Sequence, residues 1–263
     1  MSEILTVGGH PLTYGGFLLG FIDPNPLNLP AYTMRFLFDP PYNPTSYSWA
    51  SNVTWTQVSS EPNIWDYTRT GTGNSLTDWS FAFNDYHGGP GLVYAPGEVL
   101  GANTTGVTEM AEMFRHAPGL RSVALFDTSN VTTMSMMFAG CTALSEVPRF
   151  DTRNVTSMFN MFFGCSSLTT VPLFNTSKVT YMAGMFEDCT ALTSVPLFDT
   201  SNVTNMDSTF YNCISVESGA LALYQQASTQ ATPPSSHLRT FTSCGSNTTT
   251  GQAELAQIPS DWK

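Results

Sequence analysis

Four cysteines fall at positions 141, 165, 189 and 213, each 24 residues after the last. Valines at 107, 131, 155, 179 and 203 keep that step, as do methionines at 110, 134, 158, 182 and 206. So do phenylalanines at 114, 138, 162, 186 and 210. A fixed period in this range is the signature of stacked repeats, each burying its apolar face against the next. Five turns follow from it, opening at Asn103, Asp127, Asp151, Asn175 and Asp199.

Each turn divides into two halves by its internal spacing. Val131, Met134, Phe138 and Cys141 are spaced 3, 4 and 3, which predicts one helical face. Asp127, Thr128 and Ser129 supply helix-start oxygens, and Gly140 and Gly164 stand where such a helix would end. The other half, Leu168 to Phe174, is short and rich in β-branched residues, which predicts a strand. Pro148, Pro172 and Pro196 cannot donate to a ladder, so strand pairing must be brief. Arg149, Leu173 and Leu197 share a column that should border solvent, whereas Phe126, Phe150, Phe174 and Phe198 form an unbroken inward column. Six or seven large side chains per turn, at about 1.5–3 kcal/mol each when buried, favour stacking.

The expected fold class is an α/β repeat solenoid, leucine-rich-repeat-like, with a β-rich N-terminal module and a helical C-terminal cap. The Gly/Pro- and Trp-rich module spans 1–97 and caps the solenoid; the repeats span 98–217 and the C-terminal cap 218–263. Within the module, Tyr32–Phe38, Val53–Val58 and Trp79–Phe83 read as strands. Trp49, Trp55, Trp65 and Trp79 supply large rings to cover the open end of the repeats. In the cap, Ser218–Ser228 and Gly251–Ile258 read as helices, with Phe241, Cys244 and Trp262 closing over the last turn.

Composition narrows the function. Apolar residues make up 41% of the chain, enough for a core, while charged residues are only 11%, so Ser, Thr, Asn and Gly dress the surface. The net charge of -11 argues against nucleic acid and anionic membranes, which demand basic patches. No segment is long and apolar enough to suggest a membrane span, and no basic signal-peptide region precedes one. The expectation is a chain that stays in the cell or leaves it without the general secretory route.

Catalytic and metal chemistry find little support. His10, His87, His116 and His237 show no ligand spacing, and Gly88–Gly91 follows no strand-to-helix pattern. Neighbouring turns lie about 4.8 Å apart, which leaves disulfides between column cysteines open by distance, although a ladder of buried thiols fits better. Ala117 occupies the same column in the first turn. The column Asp127, Asp151, Asn175 and Asp199 invites calcium, but its asparagines favour a turn-acceptor role. The sequons at Asn130, Asn154 and Asn202 recur because the repeat does. We therefore expect no catalytic residues, no metal and no cofactor.

Where the repeat varies, it becomes informative. One column reads Arg115, Ala139, Phe163, Glu187 and Tyr211, and adjoining columns supply Phe159 and Tyr181. Aromatic rings where other turns place Ala, Ser or Asp are not demanded by packing. Phe159, Phe163, Tyr181, Glu187 and Tyr211 are accordingly the candidate binding residues, forming a stacking patch for a sugar or a protein.

The unit Phe-Asp-Thr-Ser-Asn-Val-Thr-x-Met-x-x-Met-Phe-x-x-Cys-x-x-Leu-x-x-Val-Pro resembles the BspA-like leucine-rich repeats over residues 103 to 216. It is carried by Asp127–Phe138, Asp151–Phe162 and Asp199–Phe210, with Asn175 departing from the aspartate. The subgroup most similar is that of mycoplasma surface lipoproteins and of gut bacterial and prophage proteins. Trp55–Tyr67 and the tail from Ser218 look like the phage-associated members. The resemblance implies cell-surface adhesion for the family at large. For the phage-associated members it implies a non-enzymatic virion or tail protein that binds a host cell-surface glycan or protein, or other virion proteins. The alternative is a bacterial surface adhesin. Localisation would be the virion or the cell surface, and a homo-oligomer is an open expectation.

Overall fold

The computed structural model describes residues 97–263 continuously and, before them, residues 6–7, 10–11, 27, 29–31, 33–37, 53–58 and 64–69. The expected strand at Trp79–Phe83 and the rings of Trp49, Trp55, Trp65 and Trp79 lie outside what is described.

Two short strands, β1 (Thr6–Val7) and β2 (His10–Pro11), pair antiparallel. A mixed five-stranded sheet then runs in the order β4-β5-β3-β6-β7, where β3 is Thr33–Leu37, β4 Val53–Gln57, β5 Ile64–Arg69, β6 Glu98–Asn103 and β7 Ser122–Val123. Alternation in Thr33–Leu37 turns Met34 and Phe36 into the core, both 0% exposed. Arg35 lies opposite Asp66 in register and donates to it twice, Nε to Oδ1 at 2.6 Å and Nη2 to Oδ2 at 2.8 Å. All the pairings are antiparallel except the last, β6 with β7. That parallel pairing joins the N-terminal strands to the first repeat, and the Arg121 and Ala124 N–H groups extend it to the carbonyls of Gly97 and Val99.

From Thr104 onward the chain is a repeat structure whose successive copies bond backbone to backbone. In one copy the N–H groups of Met134, Met136, Phe138 and Gly140 donate to the carbonyls of Ser157, Phe159, Met161 and Phe163 at 3.1, 2.7, 2.9 and 2.7 Å. The next copy repeats the pattern from Met158, Asn160, Phe162 and Gly164 to Tyr181, Ala183, Met185 and Glu187. Intervening N–H groups close tight turns: Met137 to the Met134 carbonyl, Ala139 to Met136 and Cys141 to Phe138.

This corrects the expected helix at Val131–Cys141. A helix would direct every N–H to a carbonyl four residues back. Here alternate N–H groups cross to the next copy, and Met136 and Gly140 sit at positive φ, 56° and 78°. Positive φ recurs every fourth residue in this stretch, at 112 and 116, 160 and 164, 184 and 188, and 208 and 212. Overlapping four-residue turns place side chains inward every three or four residues, as a helix does. Spacing could not separate the two.

The expected strand at Leu168–Phe174 is corrected as well, since no ladder forms there. Cross-turn bonding in this half falls to isolated donations such as Thr193 to the Thr169 carbonyl at 3.0 Å. Pro172 and Pro196 lack a donor, and the Phe198 N–H folds back onto the Pro196 carbonyl at 2.9 Å. The solvent-bordering column is as expected, with Leu173 and Leu197 51% and 53% exposed.

Phenylalanines spaced 12 residues apart build the core as two interlocking columns. Phe114, Phe138, Phe162, Phe186 and Phe210 stack at 5.2–5.6 Å between ring centroids, with planes within 13°. Phe126, Phe150, Phe174 and Phe198 form the second column, and Phe162 meets Phe174 at 6.2 Å. Buried Thr128, Thr152 and Thr176 satisfy their hydroxyls on the carbonyls of Asp151, Asn175 and Asp199 at 3.0, 2.8 and 2.9 Å.

The C-terminal segment holds two helices, α1 (Ala220–Thr229) and α2 (Thr249–Gln257), and a 3-10 turn at Ser260–Trp262. Glu254 on α2 accepts the Gly219 and Leu221 N–H groups at 3.3 and 3.1 Å, occupying the free donors at the start of α1. Between the helices lies a further copy of the repeat. Met206, Ser208, Phe210 and Asn212 donate to Ser236, Leu238, Thr240 and Thr242 at 2.8–2.9 Å, and Phe241 stacks on Phe210 at 5.9 Å. Cys244 continues the cysteine column, and Arg239 and Ser243 continue the positive-φ pattern at 57° and 60°. Trp262 then covers this copy, stacked on His237 at 4.2 Å and on Phe241 at 6.2 Å.

Candidate functional site

The turns that hydrogen-bond between copies form a ribbon with one side packed on the core and the other facing solvent. Met134, Met137, Phe138 and Cys141 point inward at 0% exposure, while Thr133, Ser135 and Met136 are only half-buried. On the equivalent outward positions of the next three copies stand the aromatic and acidic candidates.

Phe159 and Tyr181 come together: their rings meet edge to face at 5.5 Å, and Tyr181 stays 38% exposed. Phe163, Glu187 and Tyr211 fall in one column of successive copies, all half-buried, with adjacent members about one strand spacing of 4.8 Å apart. Burial and the neighbouring Asp188 raise the Glu187 carboxyl above its ordinary value, and Arg239 opposes the shift. The Arg239 guanidinium lies over the Tyr211 ring, 5.3 Å from its centre.

Arg239 escapes the sequence reading because the last copy is offset: its bridge runs Asn205 to Ser236, seven residues beyond the regular step. Phe241 and Cys244, three apart like Phe210 and Cys213, carried the only signal of that copy. Three further hydrogen bonds border the patch. Asn212 Nδ2 donates to Asp188 Oδ1 at 2.8 Å, and Asp207 accepts from Ser236 Oγ at 2.7 Å and from the Leu238 N–H at 2.6 Å.

The remaining sequence candidates have structural positions. Oδ1 of Asp127, Asp151, Asn175 and Asp199 accepts the N–H two residues on at 2.9–3.2 Å, the geometry of a turn acceptor. That is the role expected of this column, although the turn it closes does not open a helix. Asn154 and Asn202 donate to the carbonyls of Ser129 and Ser177 at 2.8 and 2.7 Å, so those sequon side chains brace neighbouring copies. The five cysteines are free and buried, and Sγ of Cys141, Cys165, Cys189 and Cys213 donates to the carbonyls of Phe114, Phe138, Phe162 and Phe186 at 3.1–3.2 Å. Burial pushes the Cys141 thiol up to about 12 and the three after it in the same direction. His116 is exposed and His237 packs under Trp262. Among the described residues no three His, Cys, Asp or Glu side chains are placed to hold a metal, and no helix is long and apolar enough to cross a membrane.

The ribbon therefore offers flat rings, amides and carboxylates to a ligand lying on its surface. No curated protein and no solved structure matches the chain. A family model described as "Mycoplasma protein of unknown function, DUF285" matches residues 95–170 and 140–229, which together cover just over half of the 263 residues and contain the five regular copies. The chain belongs to the DUF285 family, that of BspA-like Mycoplasma surface repeat proteins.

Proposed function

We propose that this is a non-enzymatic, phage- or prophage-encoded virion or tail-associated protein that binds a host cell-surface ligand through its repeats. On this reading the repeats are a leucine-rich-repeat-like solenoid over 98–217, capped by the module at 1–97 and the segment at 218–263. The observation that carries it is the pair of half-buried Phe159 and exposed Tyr181 beside the Phe163, Glu187 and Tyr211 column, with rings at positions where other copies place small or polar residues. Large rings left on a surface without a packing role favour association. The acidic balance speaks for a partner other than nucleic acid.

Mass spectrometry of particles purified from the encoding strain should find the chain in the virion, and its absence there would refute the assignment. The labelled protein should also bind host cells, with the double variant Phe163→Ser and Tyr211→Ser losing at least tenfold; undiminished binding would refute the ribbon as the contact surface. A second reading, a bacterial surface adhesin, draws on the family description, which names Mycoplasma proteins. Recovery of the chain from bacterial envelopes in place of particles would favour it.

A further inference from the structure

We infer that the ligand of the aromatic ribbon is a neutral polysaccharide lying along the stack, across the copies that contain Phe159, Tyr181 and Tyr211. The inference rests on the proposed surface-binding role and adds the chemical class. Three features of the face select it.

First, rings recur along the stacking direction: Phe163 and Tyr211 belong to the same column two copies apart, about 10 Å by strand spacing, a span comparable with two sugar rings. Phe159 stands in an adjoining column of the Phe163 copy, and Tyr181 in the copy between Phe163 and Tyr211, where its ring meets Phe159. Sugar rings present flat C–H faces to such platforms, and a chain of them meets a periodic surface with a periodic ligand.

Second, apart from Glu187, which stands between Phe163 and Tyr211, the groups flanking the rings are neutral and hydrogen-bonding. Ser135 and Ser157 share a 2.8 Å bond between hydroxyls, Asn160 leans over Gly184, and Asn212 is held on Asp188. A protein hot spot needs a dry apolar centre with a water-excluding rim. Here the neutral positions around the rings include Ser157, Asn160, Asn205 and Asn212, suited to the hydroxyls of a polyol.

Third, the charges are matched internally or acidic. Glu112 pairs with Arg115 at 2.6 Å, Arg239 lies on Tyr211 and acts on Glu187, and Asp207 is held by Ser236 and the Leu238 N–H. A polyanionic glycan would meet Glu187, Asp188 and Asp207 without a free cationic cluster to receive it among the described residues of the ribbon. A neutral chain incurs no such repulsion.

The test uses the full chain, fluorescently labelled, on host cells in three states: untreated, protease-shaved and periodate-oxidised. Periodate cleaves the vicinal diols of sugars and spares protein receptors; protease does the reverse. Binding should fall at least tenfold after periodate, hold after protease, and survive competition by heparin, a polyanionic glycan. Phe163→Ala, which installs the residue that Ala139 already places in this column, should weaken binding about as much as Phe163→Ser, while the half-buried position lowers the melting temperature by only about 2–4 °C and leaves the variant folded. Loss on protease with persistence after periodate would overturn the polysaccharide while leaving surface binding intact. Competition by heparin would overturn the neutral class. Absence of binding to untreated cells, and to arrayed neutral polysaccharides, would overturn both readings.

Discussion

Gly164→Ala tests the left-handed backbone of the turn at this position by the sign of its effect. Gly164 sits at φ 70°, donating its N–H to the Glu187 carbonyl at 2.8 Å. An added Cβ would meet nothing closer than the Gly140 Cα at 3.9 Å, so the consequence is conformational and not steric. Holding an L-residue at positive φ costs about 1–2 kcal/mol. Alanine also restricts the unfolded chain, which returns about 0.4–1 kcal/mol. The net expectation is a destabilisation of between about 0 and 1.6 kcal/mol, centred near 0.8 kcal/mol. Were a helix to continue through Gly164, the same change would stabilise by about 1 kcal/mol, because glycine is the poorer helix former; a helix ending at Gly164 would share the loss, so a second position is needed. Urea denaturation followed by tryptophan fluorescence measures the difference; with a slope of about 2 kcal/mol per molar, the midpoint should fall by roughly 0.4 M. A midpoint above that of the parent would refute the turn description of the ribbon. Met136→Gly measured against Met136→Ala is the companion, since both remove the half-buried side chain. Relief of φ 56° roughly offsets the entropy of glycine and leaves the glycine variant no less stable than the alanine one, whereas in a helix interior it would be less stable by about 1 kcal/mol.

Three further outcomes follow from the core and the ionisable groups. Phe162→Ala removes a fully buried ring that meets Phe138 at 5.6 Å, Phe186 at 5.4 Å and Phe174 at 6.2 Å, and should cost about 3–5 kcal/mol by denaturant titration. A loss below about 1 kcal/mol would contradict the stacked core. With every thiol buried and Cys141 held up to about 12, a disulfide-exchange reagent at pH 8 should label none of the five cysteines in the native protein and all five after denaturation; rapid native labelling would refute their burial. The carboxylates act in opposite senses. Asp199 is held below its ordinary value of 3.8 by the Ser201 hydroxyl and N–H, so its stabilisation is present above that pH and lost as pH falls through and below it. Glu187 is raised by burial, so its charged form opposes folding at neutral pH and that cost disappears as the carboxyl protonates. Glu187→Gln should therefore raise the melting temperature at pH 7 and have a smaller effect at pH 4; the same gain at both values would show that charge is not the cause.

The candidate site was legible to the extent that it departs from the repeat. Phe163 and Tyr211 stood out because Ala139 occupies their column, and the structure places them in that column on the outward side. The Phe159–Tyr181 contact was not legible, since residues 22 positions apart touch only when one copy sits directly over the next. Arg239 was hidden by the insertion of α1, which breaks the 24-residue count before the last copy begins.

Period and side-chain chemistry alone determined that the chain repeats, where each copy begins, and that Met, Phe, Cys and Val columns form the core. Inward and outward residues must repeat with the copy whatever backbone connects them. Only tertiary structure decided what that backbone is. A helix satisfies its N–H groups locally, whereas the turns around Met136 and Gly140 leave alternate N–H groups pointing at the next copy. Those groups are satisfied only when Ser157, Phe159, Met161 and Phe163 arrive opposite them, a condition imposed by stacking and invisible within any single repeat.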